Sequence, residues 1–236
     1  MAMTLGYTVP ARVYPVLIVC LPAALAVASW FPDESWHWGI LSAAGVLGAL
    51  TMLVAQLGRD LGKAKEADLW LSWGGKPTTQ LLRHRDRHLD SITKGRYHTR
   101  LANLMGITLP TAEEEAADPG AADNAYNSCV LWLIAQTRAV TSYRLLFKEN
   151  VSYGFRRNLW AMRPAGSLLA VLGLIMSFIP LVLFWAEGPR VMAGVAVVLN
   201  TILLVLWCLR ITSDWIQLTA YRYAEELLST IDMMKA

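Results

Sequence analysis

The densest chemistry in the sequence lies in Gly74-Gly75-Lys76-Pro77-Thr78-Thr79-Gln80-Leu81-Leu82-Arg83-His84-Arg85-Asp86-Arg87-His88. The stretch opens like a glycine-rich phosphate cradle and closes as a basic tract. A Walker A loop needs four residues between its first Gly and the Gly-Lys pair, and Ser or Thr directly after the Lys. Here Pro77 follows Lys76, so the stretch is not a P-loop. Two readings of its start remain. Backbone N–H groups around the glycines and the head of the next helix hold an anionic oxygen, or a flexible turn feeds a helix that Pro77 initiates.

From Lys76 to Arg100 there are seven basic residues, two acidic ones and three of the four histidines. Arg offers a planar fork suited to phosphate, and several on neighbouring turns can follow a polyanion or surround a nucleotide. Lys76, Arg83, Arg85, Arg87, Arg96 and Arg100 are therefore candidate anion ligands. Three anions compete for them: nucleic acid or nucleotide, lipid headgroups, and carboxylates of the same protein. His84 and His88 have the i, i+4 spacing of a shared metal. The three neighbouring arginines repel a cation, however, and no Cys or Glu completes a site at helical spacing. A basic helix face is expected, without metal or cofactor.

These residues sit in a chain too apolar for an ordinary soluble domain: 236 residues, 55% hydrophobic and only 17% charged, with a mean hydropathy of +0.38. Four uncharged blocks, Val13 to Phe31, Trp38 to Leu57, Ala165 to Trp185 and Val191 to Leu209, each have the roughly 20 residues a helix needs to cross a bilayer. They predict four transmembrane helices in two hairpins, residues 1–57 and 165–210. A cytosolic helical insert, 58–164, separates them, and a cytosolic C-terminal helix, 211–236, follows. The whole is an all-α membrane protein. The first block does not read as a cleaved signal peptide, since only Arg12 precedes it and a second span follows closely. Basic residues beside the spans, among them Arg59, Lys63, Arg156, Arg157 and Arg163, place the insert and both termini on the cytoplasmic side. Cys20, Cys129 and Cys208 imply no disulfide framework.

Within the insert, 16 basic residues face 11 acidic ones, and the charges are segregated. Glu113-Glu114-Glu115, Asp118 and Asp123 read as an acidic, mobile linker. Helices are expected from Thr78 or Thr79 to Ser91, around Leu101 to Met105 up to Gly106, from Ala121 to Lys148, and from Asp214 to Met234. No period-two strand pattern is present.

No metalloprotease, nucleophile-elbow or dinucleotide motif occurs, and the spans lack the buried ionisable groups of proton-coupled transport. No enzyme is expected. A pore lined by small and polar groups is compatible with the spans, with Asn200 and Thr201 the leading residues and Ser42, Thr51 and Gln56 further candidates. Interhelical bonding by Asn200 is the competing reading. Ala44-Gly45-Val46-Leu47-Gly48-Ala49 offers small residues for close helix contact and self-association. Asp33 and Glu34 would attract cations to an outer mouth, Pro180 would kink the third span, and Trp30, Trp36, Trp38 and Trp185 form an outer belt.

The segment from Phe147 through Tyr153-Gly154-Phe155-Arg156-Arg157-Asn158 to Trp160, together with Gly-Gly-Lys-Pro-Thr-Thr, resembles four-span bacterial membrane proteins. The layout is similar to effectors of CBASS- or Hailong-like anti-phage systems, which pair a nucleotidyltransferase with such an effector. The resemblance implies an inner-membrane homo-oligomeric channel that a cyclic nucleotide or short oligonucleotide gates, with that nucleotidyltransferase as partner. A Hailong-like case implies single-stranded DNA as the agent holding the channel closed. Coupling is then expected in Tyr153 to Pro164, where Arg156 and Arg157 contact ligand or anchor to lipid headgroups. The alternative is a scaffolding membrane protein whose basic insert binds anionic lipid or a cytosolic partner.

Overall fold

A computed structural model describes residues 6–30, 51–183 and 190–234; among them every regular element is helical. The chain divides into two compact units, residues 1–66 with 154–216, and residues 67–153 with 217–236.

The first unit contains three helices long and apolar enough to cross a membrane: Gly6–Ala28, Arg163–Leu183 and Val191–Leu209. The expected span Trp38 to Leu57 lies outside the described residues over 38–50, and its remainder continues as helix through residues 51–64. Ser42, the small-residue run 44–49, Asp33, Glu34, Trp36, Trp38 and Trp185 also lie outside them. The first helix begins earlier than its apolar block, so Arg12 falls within it. The Arg12 guanidinium lies over the Tyr7 ring at 5.5 Å, which offsets part of the cost of a cation there.

The three apolar helices pack on one another around Val16, Val19, Ala170 and Trp207. Gly166 permits the closest approach: a Cβ there would lie 2.3 Å from the Trp207 ring. Trp30 Nε1 donates to the Met176 carbonyl at 3.0 Å, tying the first helix to the Arg163–Leu183 helix. Leu168, Leu172, Ile175, Phe178 and Val182 face outward from that helix. An exposed apolar stripe of this kind suits lipid.

The second unit is built of short capped helices around Leu81, Leu82, Leu101, Tyr126, Leu133 and Leu227. Pro77 opens a helix that stops at Gln80. The expected continuation to Ser91 does not form, because side chains take up the carbonyls that helix would use. His98 Nε2 bonds the Leu82 carbonyl at 2.7 Å, and the Lys94 ammonium donates to the carbonyls of Arg83 and Asp86. Asp90 then caps Ser91–Met105 by accepting from Thr93 N at 2.8 Å, and Gly106, at φ 64°, ends it in the left-handed conformation.

The acidic stretch is not a mobile linker. Thr111 and Glu114 form a capping box on Ala112–Ala117, and Asp118 caps Pro119–Gln136 by accepting from Ala121 N. Glu115 is 2% exposed. The expected Ala121 to Lys148 helix breaks after Gln136, where the Thr137 hydroxyl donates back to the Leu133 carbonyl at 2.8 Å. Arg144–Ala161 resumes it after a seven-residue elbow, 137–143. The tail helix is Ser213–Ser229, closed by a 3-10 turn over Thr230–Met233.

Candidate anion-binding site

Gly74 and Gly75 hold φ 81° and 133°, values that favour glycine. Their N–H groups close the preceding helix: Gly75 N donates to the Trp70 carbonyl at 2.7 Å and Gly74 N to Leu71 at 3.2 Å. Gln80 Nε2 donates to the carbonyls of Trp73 and Gly75, and Arg83 Nη1 to that of Gly74. The loop therefore turns carbonyl oxygens toward the arginine. Of the two readings of this stretch, the turn that feeds a helix opened by Pro77 is the one formed; the glycine N–H groups already have carbonyl partners and make no cradle.

Three of the candidate cations converge on the Pro119–Gln136 helix. Arg83 Nε and Nη2 reach the two oxygens of Asp123 at 2.7 Å each, a bidentate fork. Arg85 lies 3.8 Å from the same carboxylate and 3.5 Å from Glu115. Lys76 Nζ donates to Asn127 Oδ1 at 2.8 Å and stands 5.1 Å from the centre of the Trp70 ring. Asp123 and Asn127 are one turn apart on that helix, which is why one face receives all three.

Glu115 organises the floor of this cluster. Its carboxylate accepts from His84 N at 2.7 Å, from Arg85 N at 3.3 Å and from the Tyr126 hydroxyl at 2.8 Å. Burial raises its pKa, but these hydrogen bonds together outweigh burial and leave it below the ordinary carboxylate value. Tyr126 is pushed up, first by burial and then by Glu115. His98 is held below the usual histidine value, chiefly by burial. Lys94, 5% exposed, is lowered by burial against the attraction of Asp86 and Glu115. Burial pushes the Cys129 thiol up to about 11, so it is unreactive at neutral pH.

Among the described residues, no hydrogen bond or ion pair joins Arg87, Arg96 or Arg100 to this cluster. Arg96 pairs with Asp232 at 3.0 Å. Arg100 donates to the carbonyls of Ile231 and Met234 at 3.2 and 2.7 Å, closing the C-terminal turn. Arg87 is exposed and has no ion-pair partner among the described residues. His84 and His88 do not share a helix face, since 81–90 is not helical. His84 Nε2 lies 3.0 Å from the Pro110 carbonyl, while His88 bonds Glu225 at 2.6 Å and stacks on Tyr221. Among the described residues no group of three His, Cys, Asp or Glu is placed to hold a metal ion.

In the first unit, Arg156 Nη1 donates to the Trp215 carbonyl at 2.7 Å and its guanidinium lies 4.6 Å from that indole. Arg157 is buried and reaches Glu66 Oε1 at 2.8 Å. Both have protein partners where ligand or lipid contacts were expected. Asn200 is fully buried, with Nδ2 3.3 Å from Ser177 Oγ and Oδ1 without a hydrogen bond. Thr201 is exposed and donates to the Val197 carbonyl.

Pairing with carboxylates of the same protein was one of three readings of the basic tract, and the acidic stretch supplies Glu115 and Asp123; Asn127 as a partner of Lys76 was not foreseen. The i, i+4 spacing of Asp123 and Asn127, just after an Asp118-Pro119 helix start, marks a polar helix face. Nothing in the sequence links that face to Arg83, forty residues away. The chain matches no protein-family model, no curated protein and no solved structure.

Proposed function

We propose that this chain is a non-enzymatic membrane effector of an anti-phage system: a homo-oligomeric ion channel gated by a nucleotide or short oligonucleotide. The observation that supports this reading is the Arg83 fork on Asp123, with Arg85 within 3.8 Å of the same carboxylate. A phosphate presents a similar pair of oxygens to a guanidinium. A polyanion takes the fork in exchange for Asp123, with exposed Arg87 extending its track. Gating requires that one channel state bind the anion better than the other. Exchange at Asp123 provides such a difference if the state that releases the carboxylate is the one that takes the ligand.

The test is equilibrium binding of a single-stranded oligothymidylate to the full-length protein across a salt series. Replacing Arg83, Arg85 and Arg87 by Gln is expected to weaken binding and flatten its salt dependence. Unchanged affinity and slope would remove the tract from the ligand site.

A second reading, a membrane scaffold, draws on one observation: every candidate cation except Arg87 has a protein partner. On that reading the tract holds the helices together, and the protein binds no oligonucleotide while remaining folded.

A further inference from the structure

Besides Arg87, the second unit has cations without ion-pair partners outside the tract. Arg138, Arg144 and Lys148, at and just beyond the elbow, are exposed. None of them has a hydrogen bond or ion pair among the described residues. Of the nearby carboxylates, Glu225 on the Ser213–Ser229 helix holds His88, and Glu226 is raised by burial first and by Glu149 second.

Beside these cations is a recess of about 160 Å³, lined by Arg138, Tyr143, Phe147, Asn150 and Tyr223 among others. It shares Val140 and Phe147 with a groove of about 550 Å³ that also takes in Arg144 and Lys148. One concavity thus adjoins three aromatic rings, an amide and three cations. The Asn150 side chain has no hydrogen bond among the described residues, so both its donor and its acceptor are available. The Thr137 hydroxyl, by contrast, is already bonded to Leu133.

We infer that this elbow is a nucleotide-binding site. Tyr143, Phe147 and Tyr223 line the cavity a flat base would enter, Tyr223 already stacking with Tyr153 on one side; the Asn150 amide offers a donor and an acceptor to its edge, and Arg138, Arg144 and Lys148 take the phosphates. Phosphate alone accounts for the cations but leaves the rings and the amide unused. An aromatic phosphate ester uses all three. The site shares the ligand class of the proposed function but none of its residues, and it stands if the 76–100 tract binds nothing.

The experiment titrates full-length protein, in phosphatidylcholine nanodiscs, with ATP carrying a fluorescent methylanthraniloyl group on the ribose. Saturable binding is expected, displaced by unlabelled ATP. Arg144→Gln with Lys148→Gln is expected to weaken it at least tenfold at unchanged Tm, because both side chains are exposed and unpaired. Tyr143→Ala is expected to weaken it as well. Should that variant lower Tm, Asn150→Ala carries the same test, since it removes an amide with no protein partner. The elbow substitutions are expected to weaken binding on an Arg83→Gln, Arg85→Gln background as well, which separates this site from the tract. The inference is overturned if binding does not saturate, if the charge variants bind like wild type, or if only the tract variants lose affinity. It is equally overturned if phosphatidylglycerol nanodiscs displace the probe and unlabelled ATP does not, which assigns the cations to lipid headgroups.

Discussion

Arg83 grips Asp123 at two points, Nε and Nη2 each 2.7 Å from a carboxylate oxygen, across forty residues of sequence. The pair is only partly buried, with 12% and 32% of the side chains exposed. The proposed exchange makes Asp123 a competitor of the ligand. Asp123→Asn is therefore expected to tighten oligonucleotide binding, about 5- to 10-fold from loss of the competing charge, with at most about 1 kcal/mol lost from stability. Arg83→Gln is expected to weaken binding. Titration of both variants checks this, and weakening by both would show that Asp123 orders the site instead of competing for it.

Glu115 is buried and its carboxylate is held by three donors. Glu115→Gln sets an amide NH₂ against donors at His84 and Arg85 and removes a charge-assisted bond from Tyr126. A loss of about 2–3 kcal/mol is expected, seen as a lower Tm of the second unit.

Acid should weaken the same unit in two steps. His98 has a folded pKa below its unfolded value of about 6.5, so the unfolded chain takes up its proton first and stability falls as pH drops below that value. Glu115 has a folded pKa below its unfolded value of about 4.3. Its contribution is complete above that pH and is lost as pH falls through the folded value. Thermal melts from pH 7.5 to 3.5 should show both windows in wild type. His98→Gln should lack the upper one and Glu115→Gln the lower.

Gly166 lies under Trp207 with no room for a methyl group. The ring is 1% exposed and held on the Val191–Leu209 helix, so Gly166→Ala must push helices apart. An overpacking cost of about 1–3 kcal/mol is expected. Loss of thermal stability in detergent measures it, and an unchanged Tm would show that the two helices separate freely.

Arg157 and Glu66 are both largely buried and 2.8 Å apart. Truncating one member of a buried ion pair under-compensates the charge of the other, at a cost of about 3–5 kcal/mol. Arg157→Gln should therefore lower stability even in the absence of any anion, and Arg157→Gln with Glu66→Gln should recover part of the loss. A ligand-contact role alone predicts normal stability and weaker binding.

Helical class and three of the four expected apolar helices were legible because both rest on patterns local in sequence: uncharged runs near Val19, Ala170 and Val198, a proline opening a helix at Pro77, a glycine ending one at Gly106. The interruption at 81–90 was not legible. Leu81, Leu82 and Leu89 carry helical spacing, and the chain departs from it because Lys94 and His98, on the next helix, take its carbonyls. Likewise Glu115 reads as one more surface acid beside Glu113 and Glu114. Only tertiary packing brings Tyr126 and the His84 amide to it. The basic tract showed where the cations are, but their partners, Asp123, Asn127 and Asp232, come from segments that no spacing rule connects to it.

A ligand-dependent ion path is the property on which the proposed function stands, and ion flux reads it. Purified full-length protein in liposomes is titrated with cyclic nucleotides and with short single-stranded DNA at fixed salt. The account predicts a saturable change in flux with one of these, shifted to higher concentration by Arg83→Gln. A folded oligomer that passes no ions under any condition, or passes them identically with and without every ligand, contradicts it.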